Sequence, residues 1–153
     1  MKIRKANQKD LDDLLELAKL QVDYHHKIDN YYKPFSKYRG IKKYHEQQLK
    51  DRDVRLLVAE DENGKLIGFV DGSITTKPDI NFKKIGEIDT IFIKEDHRKK
   101  GIGNKLIKEL LKWFKEKNIK HVEADVDMRN ENGVKAWGKF GFSGYRMKLR
   151  KKL

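Results

Sequence analysis

At 153 residues, 37% of them hydrophobic and 39% charged, the chain can bury one ordinary core, and its apolar periodicity excludes a disordered polymer. The absence of cysteine excludes disulfides, thiolate metal sites and a cysteine nucleophile, and the apolar runs are too short for a membrane-spanning helix. Thirty-six Lys and Arg against 24 Asp and Glu give a formal charge of +12, which suits an anionic ligand (a phosphorylated cofactor, an acidic substrate or nucleic acid) and equally suits plain solubility.

Ile3 to Ala6 reads as a short first strand. Asn7 fits a helix N-cap with Asp10 at the third helical position, and Leu11, Leu14, Leu15, Ala18 and Val22 follow at helical spacing. The first helix is therefore expected to run to about residue 24. Residues 24–40, with Tyr24, His25, His26, Tyr31, Tyr32, Pro34, Phe35 and Tyr38, look aromatic and irregular. Ile41 to Lys50 reads as a second helix.

Val54 to Ala59 and Leu66 to Thr75 are strands joined at Asn63-Gly64, a pair that tolerates the positive φ of a tight hairpin turn. A further strand spans Ile85 to Ile93. Ile102, Leu106, Ile107, Leu110, Leu111 and Phe114 share one face of a helix from Gly101 to Lys117. Val122, Ala124 and Val126 alternate with acidic residues in a half-buried strand to Asp127. Asn130 to Phe140 is a short helix and Phe142 to Leu149 a last strand. This order predicts one α+β domain over residues 1–153, its sheet antiparallel at first and parallel where the long helix crosses.

Arg98-Lys99-Lys100-Gly101-Ile102-Gly103 joins the Ile85–Ile93 strand to the long helix. Glycines at a helix N-terminus let unpaired N–H groups approach a phosphate. The segment is no dinucleotide fingerprint, because Leu106 stands at the third glycine position, and no P-loop, because no Gly-Lys-Ser/Thr follows. His45-Glu46 begins like a zinc-protease motif, but Leu49 replaces the second histidine. No metal site is expected, and Ser36, Ser73 and Ser143 lie in no nucleophile elbow.

The segment resembles the acetyl-CoA signature of the GNAT N-acetyltransferase superfamily, and the element order resembles the GNAT fold over nearly the whole chain. Ile91-Phe92-Ile93-Lys94-Glu95-Asp96-His97 looks like the family's lead-in, and Asn130 precedes Gly141-Phe142 at about the family separation. The resemblance implies a largely antiparallel central sheet flanked by helices, with splayed parallel central strands. It implies acetyl-CoA as co-substrate: its pyrophosphate on the backbone of Lys99 to Asn104 (Lys99, Lys100, Gly101, Ile102, Gly103 and Asn104), its pantetheine arm along Ile91, Phe92 and Ile93. Arg98, Lys99 and Lys100 add long-range attraction. Asn130 is expected to contact the coenzyme, to cap the short helix, or both.

Acetyl transfer needs a neutral amine, and a lysine amine, with a pKa near 10.4, is mostly protonated at pH 7. Glu87 and Asp89 alternate on one strand, and the resemblance implies a carboxylate base at one of these positions; Asp89 is preferred, lying nearer the expected thioester. A strand N–H near Ile91 would stabilise the oxyanion. Without cysteine, direct transfer in a ternary complex is expected. Many family members carry a tyrosine acid where this chain has Trp137, whose indole is no acid; Tyr145, Tyr31 or Tyr32 are possible substitutes.

The amine acceptor stays open between protein or peptide and small molecule. A second reading is a basic module that grips RNA or ribosomes on a catalytically weak GNAT fold, through Tyr145, Arg146, Lys148 and Arg150 to Lys152. No nucleic-acid motif accompanies those charges, so nucleic acid is disfavoured as a partner. The N-terminus lacks the apolar run of a signal peptide, so a cytoplasmic monomer or homodimer without membrane attachment is expected.

Overall fold

The capping signal at Asn7 opens the first helical segment as expected. Its Oδ1 accepts from the Lys9 N–H at 2.9 Å, and the Asp10 carboxylate accepts from the Asn7 N–H at 2.8 Å, a reciprocal capping box. In the computed structural model, which describes residues 1–153, this cap leads into α1 (Leu11–Ile28). Then follow α2 (Ile41–Lys50), β2 (Val54–Glu60), β3 (Leu66–Thr76), β4 (Lys84–Ile93), α3 (Ile102–Glu116), β5 (Val122–Ala124) and α4 (Glu131–Lys139), with β1 (Lys2–Lys5) at the start.

The strands form one sheet in chain order, β1-β2-β3-β4-β5. The first three pairings are antiparallel, while β4 and β5, joined by the α3 crossover, are parallel. Side-chain alternation divides the core between the two faces. Leu14 and Leu17 of α1 pack against Leu56, Val58, Phe69 and Phe92 on one face. Leu106, Leu110 and Phe114 of α3 pack against Leu57, Val70 and Ile88 on the other. The architecture is the expected mixed, largely antiparallel sheet flanked by helices.

Two irregularities in β4 create the site. Between Asp71 and Gly72 the β3–β4 register slips: Gly72 lies opposite Ile88 and Asp71 opposite Thr90, which leaves Asp89 as the extra residue of a β-bulge. On the other side, β4 pairs with β5 only where Gly86 to Ile88 face Val122 to Ala124. From the bulge to Ile93, β4 therefore has a strand partner on its β3 edge alone.

Three expectations change. Helix α1 continues past residue 24 to Ile28, where the Asp29 N–H still reaches the His25 carbonyl; the aromatic residues of its last turn obscured the helical pattern. Strand β5 ends at Ala124 rather than Asp127, because β4 bulges away beyond Ile88. Phe142 to Leu149 forms no strand. Its alternating Tyr145, Met147 and Leu149 are 70%, 71% and 84% exposed and pack against no sheet face. No helix is long and apolar enough to cross a membrane.

Candidate active site

The loop from β4 to α3 turns through two left-handed residues, Lys99 at φ 60° and Gly101 at φ 77°. Glycine adopts that conformation without strain, and a Cβ on Gly101 would meet nothing within 4 Å, so open space lies over the turn. Gly103 is small for another reason: a Cβ there would press on Phe140 of α4 at 3.3 Å. The first backbone donor after the turn is the Lys105 N–H, to the Gly101 carbonyl. The N–H groups of Lys99, Lys100, Gly101, Ile102, Gly103 and Asn104 donate to no group of the protein. A run of free donors at the positive end of a helix fits a pyrophosphate.

Arg98 is not free to serve the same ligand by charge alone. Its Nε donates to the Ile93 carbonyl at 2.9 Å, and its guanidinium lies 5.4 Å from the Tyr24 ring centre and 5.7 Å from that of Phe92. It clasps the loop to the end of β4. The Ile93 carbonyl is thereby engaged, while the Phe92 side chain points into the core of the opposite face. Asn130 caps α4, accepting from the Gly133 N–H at 3.0 Å, and the Tyr24 hydroxyl donates to the same Oδ1 at 3.3 Å. Tyr24 thus brings Arg98 and Asn130 together, a role its place in an aromatic stretch did not reveal.

The two candidate bases share one face of the sheet but differ in environment. Glu87 accepts from the Thr75 hydroxyl at 2.7 Å and pairs with Lys77 Nζ at 2.8 Å; that ammonium, also 3.0 Å from Glu123, holds the Glu87 carboxyl below its usual range. Asp89, at the bulge, keeps contact with solvent and accepts only from the Ser73 hydroxyl, at 3.1 Å. Desolvation by the surrounding protein, then the charge of Glu87, push its carboxyl up. A carboxylate with a raised pKa is the better proton acceptor.

On the same face, α1, α2 and the sheet enclose a cavity of about 320 Å³, walled by Val22, Tyr38, Ile41, Tyr44 and Phe69, with Asp71 and Thr90 on the sheet side. Asp71 is 2% exposed. Gln48 Nε2 donates to its Oδ2 at 2.5 Å and to the Tyr44 hydroxyl at 2.9 Å, which leaves Gln48 Oε1 to accept from His45 Nδ1 at 2.9 Å. Asp71 Oδ1 is sealed from solvent with no partner at ideal hydrogen-bond geometry, and the Thr90 hydroxyl is the neighbouring group that acts on this carboxyl. Burial raises the Asp71 pKa to about 7, against the opposing effect of the Gln48 bond. Burial likewise lowers that of His45, and burial followed by the charges of Asp71 and Asp89 raises Tyr44 to about 12.

The structure brings Ile91, Ile93, Arg98 to Asn104 and Asn130 around one end of β4, with Asp89 and Glu87 behind them. Trp137 packs edge-on against Phe140 and Phe142 at the margin of the core, as a packing residue. Tyr31 stacks beneath Arg150, and Tyr145 lies beside Glu123, so neither is gathered with Asp89. The sequence reading missed Tyr44, His45, Gln48 and Asp71. The available signal was an acidic residue inside an otherwise apolar buried strand, facing polar residues at i, i+1 and i+4 of α2. No three His, Asp or Glu side chains come together to hold a metal ion.

Parallel strands splayed at a bulge, beside a helix N-terminus of free amides, give the layout expected of an acetyl-CoA-dependent N-acetyltransferase domain. The chain matches the acetyltransferase (GNAT) family over residues 15–142 and belongs to that family. It is 30% identical over 140 residues to an uncharacterised N-acetyltransferase of Methanocaldococcus jannaschii, covering 92% of this chain and 59% of that one. It is 32% identical over 131 residues to one of Archaeoglobus fulgidus, covering 85% of this chain and 84% of that one. The chain therefore spans less than two thirds of the first relative and most of the second. A mutant of a Bacillus halodurans protein shares the fold with a TM-score of 0.90 at 18% identity, covering 100% and 99% of the two chains. So does the aminoglycoside N-acetyltransferase AAC(6')-Iy in complex with a bisubstrate analogue, CoA-S-monomethyl-acetylneamine, with a TM-score of 0.79 at 20% identity and coverage of 99% and 97%.

Proposed function

We propose that the protein transfers the acetyl group of acetyl-CoA to a primary amine, directly, within a ternary complex. The observation that carries this reading is the run of free N–H groups from Lys99 to Asn104 beside the unpaired β4 edge. Together they suit a ligand with a pyrophosphate at one end and an extended, amide-bearing arm. Residues Lys99 to Asn104 would hold the pyrophosphate. The main chain of Ile91 would hold the arm, with Ile93 contributing less because Arg98 occupies its carbonyl; Phe92, the register partner of Phe69, turns its main chain to β3 instead.

Acetyl-CoA supplies an activated acyl group: a C–N bond forms to the amine as the C–S bond breaks, and coenzyme A leaves as the thiol. The chain's own task is proton removal. Asp89 takes a proton from the acceptor ammonium and passes it to solvent, to which the bulge leaves it open. Glu87, fixed by Lys77, instead sets the negative field that raises Asp89 and holds the β4–β5 register with Glu123. The amide edge of β4 near Ile91 supplies the donor for developing charge on the carbonyl oxygen. No group is assigned as acid, because a thiol, with a pKa near 8–9, leaves readily as thiolate and takes its proton from water. The structurally similar aminoglycoside N-acetyltransferase acts on an amine, and only the amine is carried over to this reading. Thiol release from acetyl-CoA, measured against a panel of primary amines, tests the reading. Release that depends on an amine and falls in Asp89→Asn is expected, whereas equal rates in Asp89→Asn and the parent protein would overturn the role of Asp89.

A further inference from the structure

We infer that Tyr24, near the end of α1, is a positioning residue of the coenzyme site, holding the far lip of the cleft at its distance from β4. The inference rests on the reading above, for it concerns that enzyme's coenzyme. The cleft lies between two chain segments that leave the parallel strands β4 and β5 in the same direction. One lip is the end of β4 with the loop that carries Arg98. The other is residues 125–130, between β5 and α4, and no strand ladder fixes it, because the β4–β5 pairing ends at Ala124. Two side-chain ties reach this second lip from α1 and its cap. The Tyr24 hydroxyl donates to Asn130 Oδ1 at 3.3 Å, and Asp29 accepts from Arg129 at 2.7 Å, while Arg129 is held in turn by Asp127 at 2.6 Å.

Tyr24 also touches the near lip. Its ring centre lies 5.4 Å from the Arg98 guanidinium, whose Nε donates to the Ile93 carbonyl. One half-buried side chain therefore spans both lips, its ring on one and its hydroxyl on the other. The hydroxyl has a second effect. Asn130 Oδ1 also accepts from the Gly133 N–H at 3.0 Å, so both of its lone pairs are used and the amide cannot turn over without losing two bonds. Nδ2 donates to no group of the protein, which leaves it a fixed donor for an amide-bearing arm. Phenylalanine at this position would keep the ring on Arg98 and drop the tie to Asn130; leucine would drop both. The cap of α4 survives either change, because the Gly133 N–H still donates to Asn130.

The test is calorimetric titration of the full chain with two ligands: acetyl-CoA, and 3′-phospho-ADP, which is coenzyme A without its pantetheine arm. Tyr24→Phe should bind acetyl-CoA about fivefold more weakly, the effect of one lost hydrogen bond, and should bind 3′-phospho-ADP as the parent does. Tyr24→Leu should weaken both ligands, acetyl-CoA by about tenfold, since Arg98 and the loop it clasps lose the ring. Adding Tyr24→Phe to Asn130→Ala should weaken acetyl-CoA no further, because the hydroxyl acts through Asn130. A merely structural role would lower the affinity of Tyr24→Phe for both ligands alike. That equal fall, acetyl-CoA affinity unaltered in Tyr24→Phe, or a full additional loss in the Asn130→Ala background would each overturn the inference while leaving the enzymatic reading in place. Failure of the parent protein to bind acetyl-CoA would instead bring down both.

Discussion

Asp71→Asn should change the pH dependence of stability in a way that no loss of packing would imitate. In the folded protein the carboxyl is raised from an ordinary 3.8 to about 7, by burial first. The folded state then holds a proton between pH 4 and 7 that the unfolded chain has lost, so unfolding free energy falls as pH rises. The contribution is fully present below the unfolded pKa and is gone once pH has passed about 7. At about 1.4 kcal/mol per pH unit, the ionised carboxylate costs the fold on the order of 4 kcal/mol above pH 7. Asparagine does not titrate, but it places amide hydrogens where Oδ1 lay sealed from solvent, at about 1–2 kcal/mol at every pH. The variant should therefore be less stable than the parent by about 1 kcal/mol at pH 4 and more stable by about 2–3 kcal/mol at pH 8, with the curves crossing between. In a chain of 153 residues the gain at pH 8 is roughly 4–10 °C in Tm. Urea unfolding followed by the fluorescence of Trp113, which is 4% exposed in the core, measures both limbs. Parallel curves for the two proteins would refute the buried, raised carboxyl.

The remaining expectations concern the reaction and its scaffold. Asp89→Asn should lower kcat by about a hundredfold or more at neutral pH, while Glu87→Gln changes it by only a few-fold; the reverse order would exchange their roles. Because the base must be ionised, kcat/KM should rise with pH on an acid limb that lies above the ordinary aspartate value, the direction in which partial desolvation and the Glu87 charge move Asp89, and a limb at 3.8 or below would count against it. Trp137→Phe should retain most activity and cost about 1–2 kcal/mol of stability, since its indole only packs on Phe140 and Phe142; a loss as large as that of Asp89→Asn would make it catalytic. Asn130→Ala should cost about 1 kcal/mol by uncapping α4, read in chemical denaturation.

The parts of the site made of local chain geometry were legible in the sequence. A strand, two spaced glycines and an amphipathic helix prescribe a turn with free amides whatever surrounds it, and Asn7 with Asp10 prescribes a cap. The acceptor side was not legible, because it depends on a register slip. Alternation alone puts Glu87 and Asp89 on equal terms; only the bulge opposite Asp71 separates an open carboxylate from one locked to Lys77. The pairing of Gln48 with Asp71 spans 23 residues and two elements, a distance over which no spacing rule speaks. The failed last strand shows the converse limit. Phe142 to Leu149 alternates as a strand should, but alternation names a face and supplies no partner, and β5 ends before it could offer one.

Titration calorimetry with acetyl-CoA tests the central claim most directly. The account predicts one coenzyme bound per chain through the amides of Lys99 to Asn104. It predicts affinity at least about tenfold weaker in Gly101→Val, which sets a branched side chain at φ 77° in the open space over the turn. No heat with the parent protein, or equal affinity in a Gly101→Val protein of unchanged circular dichroism, would contradict it.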